Sequence, residues 1–147
     1  MPPTQVEANK AIVRNVIEKC CTLGNLDAFS EYIAPDCRYP GGAPFGPDAW
    51  KRITTGWRAA FPDFAFHVLE LVAEDDLVVA LLTFTGTHQN AFEARRAGIG
   101  PIEPTGKQVE VQEVFSFRLA AGKVVEASSV WDALGFLQQL GAVPALT

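Results

Sequence analysis

Residues 108–131, QVEVQEVFSFRLAAGKVVEASSVW, decide the fold class of this chain. Apolar side chains alternate along the first half of the stretch, at Val109, Val111, Phe115, Phe117 and Leu119. A period of two is typical of a β-strand with one buried face. The pair Ala121-Gly122 indicates a turn, and residues 123–131 have the composition of a second strand. The stretch therefore predicts an antiparallel hairpin.

The rest of the chain adds strands and helices to this hairpin. Residues 64–73 and 77–88 have strand composition, whereas apolar residues recur at helical spacing over residues 5–22. We predict three further helices and one short strand: a short helix with Leu26, Phe29, Tyr32 and Ile33, a helix from Pro47 to Phe61, a helix over residues 133–140, and a strand over Cys37–Tyr39.

Helices that precede a run of strands indicate the α+β class. We predict a single domain over residues 1–147, in which a cone-shaped, curved antiparallel sheet is wrapped around three N-terminal helices and followed by a short C-terminal helix. Such a cone keeps an open mouth that can hold a small apolar ligand. The Gly- and Pro-containing residues 89–106 are predicted to form a long loop.

The composition excludes several classes of function. The net charge is −5 and the basic residues are scattered, whereas a nucleic-acid-binding protein usually has a basic stripe. The apolar stretch Leu77–Leu82 is far shorter than the ~20 residues of a membrane span, and the N-terminus has no signal-peptide pattern. Cys20, Cys21 and Cys37 have no zinc-site spacing and predict reduced thiols in the cytoplasm. No motif implies a metal, nicotinamide or flavin cofactor.

Glu113 is the one charged residue on the apolar face of the strand at residues 109–119. Because burial disfavours a charged carboxylate, its pKa is expected to be raised, which suits a general acid/base near neutral pH. Two other interpretations remain open. Glu113 could be a buried partner of an arginine, or the face could be open to water at that end of the strand.

The turn of the hairpin predicts which residue lies opposite Glu113. Ala120-Ala121-Gly122-Lys123 suits a type I turn with glycine in the bulge position, which pairs Leu119 with Lys123. Counting back along the strands then places Glu113 opposite Ser129, whereas a plain two-residue turn would shift the register by one and remove this pairing.

Other candidate site residues each have a structural alternative. Asp132 precedes the last helix and is either its N-cap or a residue at the cavity mouth. His88 and His67 are candidate proton carriers or ligand contacts, or hydrogen-bonded structural groups. The loop residues Arg95 and Arg96, with Phe92, are either a lid that meets an anionic substrate group or a solvated segment. The cavity lining is predicted to include Tyr39, Trp57, Phe115 and Trp131.

Short segments that occur in order along the chain carry a family resemblance. They are Ala60-Phe61-Pro62-Asp63, Gly86-Thr87-His88, Pro104-Thr105-Gly106-Lys107, Phe117-Arg118, Gly122-Lys123-Val124-Val125-Glu126 and Gln139-Leu140-Gly141. Together they resemble the SnoaL-like polyketide cyclase family, over residues 8–141. The resemblance implies the cone-shaped fold, chemistry without a cofactor on polyketides or other natural products, and a dimer or higher oligomer.

The resemblance also implies where the acid/base of such cyclases would lie. The catalytic aspartate of the family aligns with Ser129, and its assisting histidine aligns with Phe115. The family's catalytic pair is therefore replaced, and Glu113 on the neighbouring strand is the carboxylate expected in its place.

Two classes of function follow from these patterns. The first is a cofactor-independent enzyme that acts on an apolar, oxygenated small molecule by carboxylate acid/base catalysis, through cyclisation, isomerisation, dehydration or hydrolysis. The second is a non-catalytic ligand-binding or assembly module of the same fold. In either case, the partly apolar outer face of the sheet, with Val114 and Val130, predicts a homodimer.

Overall fold

The helices of the computed structural model, which describes residues 4–94 and 98–144, lie mostly in the first half of the chain. Helix α1 (Gln5–Asn15) begins with a capping box, in which the Thr4 side chain accepts from the Glu7 N–H and the Glu7 carboxylate accepts from the Thr4 N–H. The helix continues as a π-helix over Val16–Thr22. A 3₁₀ turn at Leu26–Ala28, α2 (Phe29–Tyr32) and α3 (Pro47–Ala60) follow.

Within the described residues, the strands form two sheets. They are β1 (Ile33–Arg38), β2 (Ala65–Glu74), β3 (Leu77–Thr87), β4 (Phe92–Ala94), β5 (Ile99–Ile102), β6 (Gln108–Ala120) and β7 (Lys123–Trp131), and the chain continues into α4 (Ala133–Leu140). The main sheet is curved and open, with the order β1-β7-β6-β3-β2, and β4 pairs with β5 separately. The predicted α+β class is confirmed, and the predicted loop at residues 89–106 contains the β4–β5 hairpin.

The first strand corrects the expectation of a purely antiparallel sheet. Ile33, which was predicted to end the second helix, begins β1, and β1 pairs with β7 in parallel. Pro35 made this segment resemble a break between elements. Because β1 is an edge strand, however, it accommodates a proline, which cannot donate a ladder hydrogen bond.

The register of the β6–β7 hairpin differs from the prediction in two steps. Ala121 and Gly122 both have positive φ (50° and 79°), so the turn has two residues rather than three and Ala120 pairs with Lys123. A bulge next to Leu119 then shifts the pairing by one more residue. As a result Glu113 pairs with Trp131, and the prediction that it pairs with Ser129 is wrong. Beyond the bulge, two shifts of one residue leave the side chains on their predicted faces. Next to the turn, Val124 rather than Lys123 lies opposite Leu119 and is buried.

Two buried clusters lie on the concave side of the sheet. The first joins α1 and the π-helix to the turn-proximal part of β6 through residues such as Ile17 and Phe117. The second joins the end of α3 to α4 through Phe61, Phe84 and Phe136. The space between the two clusters is incompletely filled, and the candidate site lies there.

Candidate functional site

A cavity of about 470 Å³ lies between the helices and the concave face of the sheet. Most of its wall is aromatic, with side chains from α3, from the segments before and after that helix and from five of the strands. These residues are Tyr39, Phe45, Trp50, Trp57, Phe64, Phe66, Phe84, Phe92, Phe115 and Trp131. The volume is within the range typical of small-molecule sites, which are predominantly apolar with a few placed polar groups.

The cavity has an inner polar group and an exposed rim. Cys21, Thr54, Glu113 and Ser129 lie among the aromatic side chains and are buried or half-buried. The exposed lining residues are Arg52, Gly56 and Glu93, and they mark the place where the cavity meets solvent.

Glu113 is the carboxylate in this wall whose pKa is clearly perturbed by burial. It projects from the concave face of β6, and desolvation raises the pKa of its carboxyl group to about 7, although a hydrogen bond from the Ser129 hydroxyl acts in the opposite direction. Within residues 4–94 and 98–144, Glu113 has no ion-pair partner. The candidate partner Arg118 lies on the outer face of β6 and pairs with Asp76 at 2.8 Å. Glu113 can therefore exchange a proton near neutral pH.

The π-helix brings a cysteine into the cavity wall. Cys21 lies near its end, and its Sγ is 4.0 Å from Oγ1 of Thr54 on α3. Burial raises the pKa of the Cys21 thiol, and the nearby Glu113 raises it further, so the thiol stays protonated. Arg58 donates to the Cys21 and Thr22 carbonyl oxygens at the end of this wide helical turn. Such π-helical segments are frequent at functional sites.

The structure brings six of the sequence-predicted site residues together around the cavity. They are Glu113, Tyr39, Trp57, Phe115, Ser129 and Trp131. Phe115 pairs directly with Ser129 across β6 and β7, and Glu113 is the next residue on the same face. Glu113 and Ser129 are thus diagonal neighbours, which explains their hydrogen bond despite the register correction.

His88, predicted as a catalytic candidate, lies outside the cavity lining. It is fully buried, stacks on Phe61 and accepts a hydrogen bond at Nδ1 from the Thr105 N–H (3.2 Å). Its backbone pairs with Lys107 and Gly106, so it links the end of β3 to the segment before β6. Burial lowers the pKa of His88 and favours the neutral ring. This geometry corresponds to the structural alternative.

His67 and Asp132 also lie away from the cavity. Successive side chains of β2 alternate between the two faces of the sheet, so Phe66 enters the cavity and His67 lies on the exposed face. The Nε2 atom of His67 is 2.8 Å from the Thr85 hydroxyl. Asp132 is the N-cap of α4, and its carboxylate accepts from the Gly135 N–H at 2.8 Å. Arg95 and Arg96, the predicted lid arginines, lie outside the described residues.

The lining also includes residues that the sequence did not mark as site candidates, among them Cys21, Arg52, Thr54 and Gly56. Arg52 and Gly56 lie on the helix predicted from Pro47 to Phe61, and their spacing of four, which places both on one face of a helix, was the available signal. No sequence feature marks the π-helical turn that brings Cys21 to the cavity.

Two further observations apply to the described residues as a whole. No helix within them is long and apolar enough to cross a membrane. No group of three or more His, Cys, Asp or Glu residues in this part of the chain has an arrangement that could hold a metal ion.

The fold and the cavity define a class of α+β proteins whose curved, open sheet and helices enclose a site for a small molecule. A model of the SnoaL-like polyketide cyclase family matches residues 11–140, and the chain belongs to that family. This finding confirms the resemblance drawn from the sequence.

Solved structures with the same fold extend the comparison. TsrD from Streptomyces laurentii is 21% identical, with a TM-score of 0.82 over 96% of this chain and 100% of that chain. AclR from Streptomyces galilaeus, a proposed hydroxylase, is 26% identical, with a TM-score of 0.80 over 97% of this chain and 87% of that chain. IdmH from Streptomyces antibioticus, a proposed polyketide cyclase, is 26% identical, with a TM-score of 0.75 over 90% of this chain and 98% of that chain. No curated protein matches the chain significantly.

Proposed function

We propose that the protein is a cofactor-independent enzyme that moves a proton on an apolar, oxygenated small molecule such as a polyketide, with Glu113 as the acid/base. The observation that carries this proposal is a carboxyl group in an aromatic cavity, with a pKa of about 7 and no ion-pair partner in the described part of the chain. Burial of an acid without a cation costs stability, and perturbed groups of this kind concentrate at functional sites. The solved relatives described as a cyclase and a hydroxylase support small-molecule chemistry.

Glu113 takes a proton from an acidic C–H next to a substrate carbonyl and returns it to the rearranged product. The aromatic walls exclude water, so the carboxylate is a stronger base there than it would be in solvent. The Ser129 hydroxyl donates to the carboxylate form and orients it. Cyclisation, isomerisation and dehydration can begin with a proton transfer of this kind, whereas in a hydrolysis Glu113 would take the proton from the attacking water and pass it to the leaving group. The proposal extends to this set of reactions.

Deuterium exchange tests the proton transfer without knowledge of the full reaction. A panel of aromatic β-keto esters is incubated with the protein in D₂O, and exchange at the acidic C–H is followed by NMR. We expect the wild type to accelerate exchange and Glu113→Gln to slow it by about 10²-fold or more, because an amide cannot shuttle a proton. The matched control is Glu110→Gln, which removes an exposed carboxylate from the opposite face of β6.

Two results would contradict the assignment. If Glu113→Gln exchanges deuterium as fast as the wild type, Glu113 is not the base. If the panel binds and the wild type accelerates no exchange, the alternative of a non-catalytic binding module is favoured.

We propose in addition that two copies associate through the outer face of the main sheet. Val114 and Val130 are paired there and exposed at 40% and 77%, and Leu69 and Val72 continue the apolar surface on β2. Apolar patches on sheet faces commonly mark interfaces, and a patch that pairs with its own copy closes as a dimer. The free, buried cysteines support the cytoplasm as the location of this assembly.

Light scattering coupled to gel filtration tests the dimer. We expect a dimer for the wild type at micromolar concentrations and a monomer for Val130→Lys. Leu23→Lys is the matched control, because Leu23 is similarly exposed (76%) but lies outside the sheet. A wild-type monomer at every micromolar concentration would exclude this interface.

A further inference from the structure

Helix α3 carries two exposed residues at the mouth of the cavity, Arg52 and Gly56. They are four residues apart and therefore lie on the same face of the helix, one turn from each other. Glu93 is the third exposed lining residue, and it lies on β4. Among the described residues, the mouth thus presents one guanidinium group and one carboxylate to an entering ligand.

The two charged groups at the mouth differ in their partners. Within the described residues, Arg52 forms no hydrogen bond or ion pair, whereas other cations on the helices, such as Arg14, Lys51 and Arg58, each have one. Glu93 already engages in an interaction within the protein. Arg52 therefore remains available to bind an external anion, and its planar group suits two parallel hydrogen bonds to a carboxylate.

Gly56 leaves open space next to Arg52. It lies inside a 14-residue helix at a helical φ, where glycine is less favourable than alanine by about 1 kcal/mol. A Cβ placed there meets no atom within 4 Å, so neither packing nor backbone conformation requires glycine. Helical side chains lean towards the N-terminus, and a side chain at this position would cover the surface around Arg52.

We propose that Arg52 and the gap at Gly56 form an anion subsite, which holds the carboxylate of an elongated ligand whose apolar body lies among the aromatic side chains. The favoured ligand is thus an aromatic or polycyclic compound with a free carboxylate at one end, and esterification of that carboxylate weakens binding. The carboxylate lies at the mouth, and the apolar body extends towards the inner polar group that contains Glu113. The subsite rests on the proposed function only in taking the cavity as a ligand site.

Competition binding tests the subsite. N-phenyl-1-naphthylamine, a neutral dye that fluoresces in apolar cavities, reports occupancy of the cavity, and it is displaced by 2-naphthoic acid or by the methyl ester of that acid. For the wild type we expect the acid to bind more tightly than the ester. In Arg52→Ala the ratio of acid to ester affinity should fall about fivefold, while the affinities for the dye and the ester change less than twofold. In Arg52→Lys the ratio of acid to ester affinity should lie between the ratios of the wild type and Arg52→Ala.

Control variants separate the subsite from general charge and size effects. Arg14→Ala removes an exposed arginine outside the cavity lining and should leave the ratio unchanged. Gly56→Leu should weaken the acid about tenfold without lowering Tm, because leucine is the better helix former. Thr55→Leu, at an exposed neighbour outside the cavity lining, should leave affinity unchanged.

The proposal is overturned if Arg52→Ala weakens acid and ester equally or changes neither. It is also overturned if Gly56→Leu binds the acid as the wild type does. These outcomes are distinct from a failure of the proposed function, which is measured by deuterium exchange in Glu113→Gln and not by the affinity ratio.

Discussion

Replacing Glu113 with glutamine should change the pH dependence of folding stability in a defined way. In the unfolded chain the carboxyl group titrates near its ordinary pKa of 4.5, and in the folded protein burial raises the pKa to about 7. Below pH 4.5 the group is neutral in both states and carries no penalty. Between pH 4.5 and about 7 the unfolded chain gains stability by ionising, so the wild type loses stability as the pH rises.

The size of this loss follows from the two pKa values. The difference between 4.5 and about 7 corresponds to about 3 kcal/mol of unfolding free energy, which is lost in full above pH 7. Glutamine does not titrate and keeps a similar shape. The variant should therefore be more stable than the wild type above pH 7 by up to about 3 kcal/mol, with a smaller gain at lower pH.

Urea denaturation of both proteins from pH 4 to pH 8.5 measures this difference. Glu110→Gln, measured in parallel, reports the effect of removing an exposed negative charge from the same strand. A difference between wild type and Glu113→Gln that is independent of pH would refute the assignment of a buried, unpaired acid. Destabilisation at neutral pH would show instead that Glu113 is a structural partner.

Three further expectations follow from named contacts. Adding Ser129→Asp to Glu113→Gln should restore part of the deuterium exchange, because position 129 already reaches the Glu113 side chain; no recovery would contradict this placement. Asp132→Ala should lower the unfolding free energy, measured in urea, by about 1 kcal/mol because the α4 cap is lost. Asp132→Ser should keep most of the wild-type stability, because serine is also a good N-cap. Phe92→Ala should speed amide hydrogen exchange in β4 and β5 by roughly tenfold, because Phe92 packs on Trp57 at 4.4 Å; unchanged exchange would show that other contacts hold the hairpin.

The position of Glu113 illustrates how far a strand pattern predicts a site. The period-two alternation of β6 assigned Glu113 to the buried face, and the raised pKa agrees with that expectation. The cross-strand partner was wrong, because a two-residue turn and a bulge each moved the register by one. Turn conformation depends on φ values that Ala121 does not reveal in the sequence, since a positive φ is uncommon for alanine.

The candidates away from β6 show a different limit. Asp132, His88 and His67 were chosen for residue type and approximate position, and each forms hydrogen bonds outside the cavity. A residue type supplies the chemistry of a group but not the direction of its side chain. Conversely, Arg52 and Gly56 belong to the site through the face of α3 that borders the cavity, which became apparent only in the folded molecule.

The sequence by itself determined the α+β class, the extent of the main helices and strands, the buried face of β6 and the family. These properties depend on local periodicity, caps and turns, which act over a few residues. Tertiary structure alone decided the parallel pairing of β1, the register of the hairpin and the assembly of Cys21, Thr54, Arg52 and Glu113 around one cavity. Those properties depend on contacts between residues far apart in the chain, where packing and desolvation, rather than local preference, set the lowest free energy.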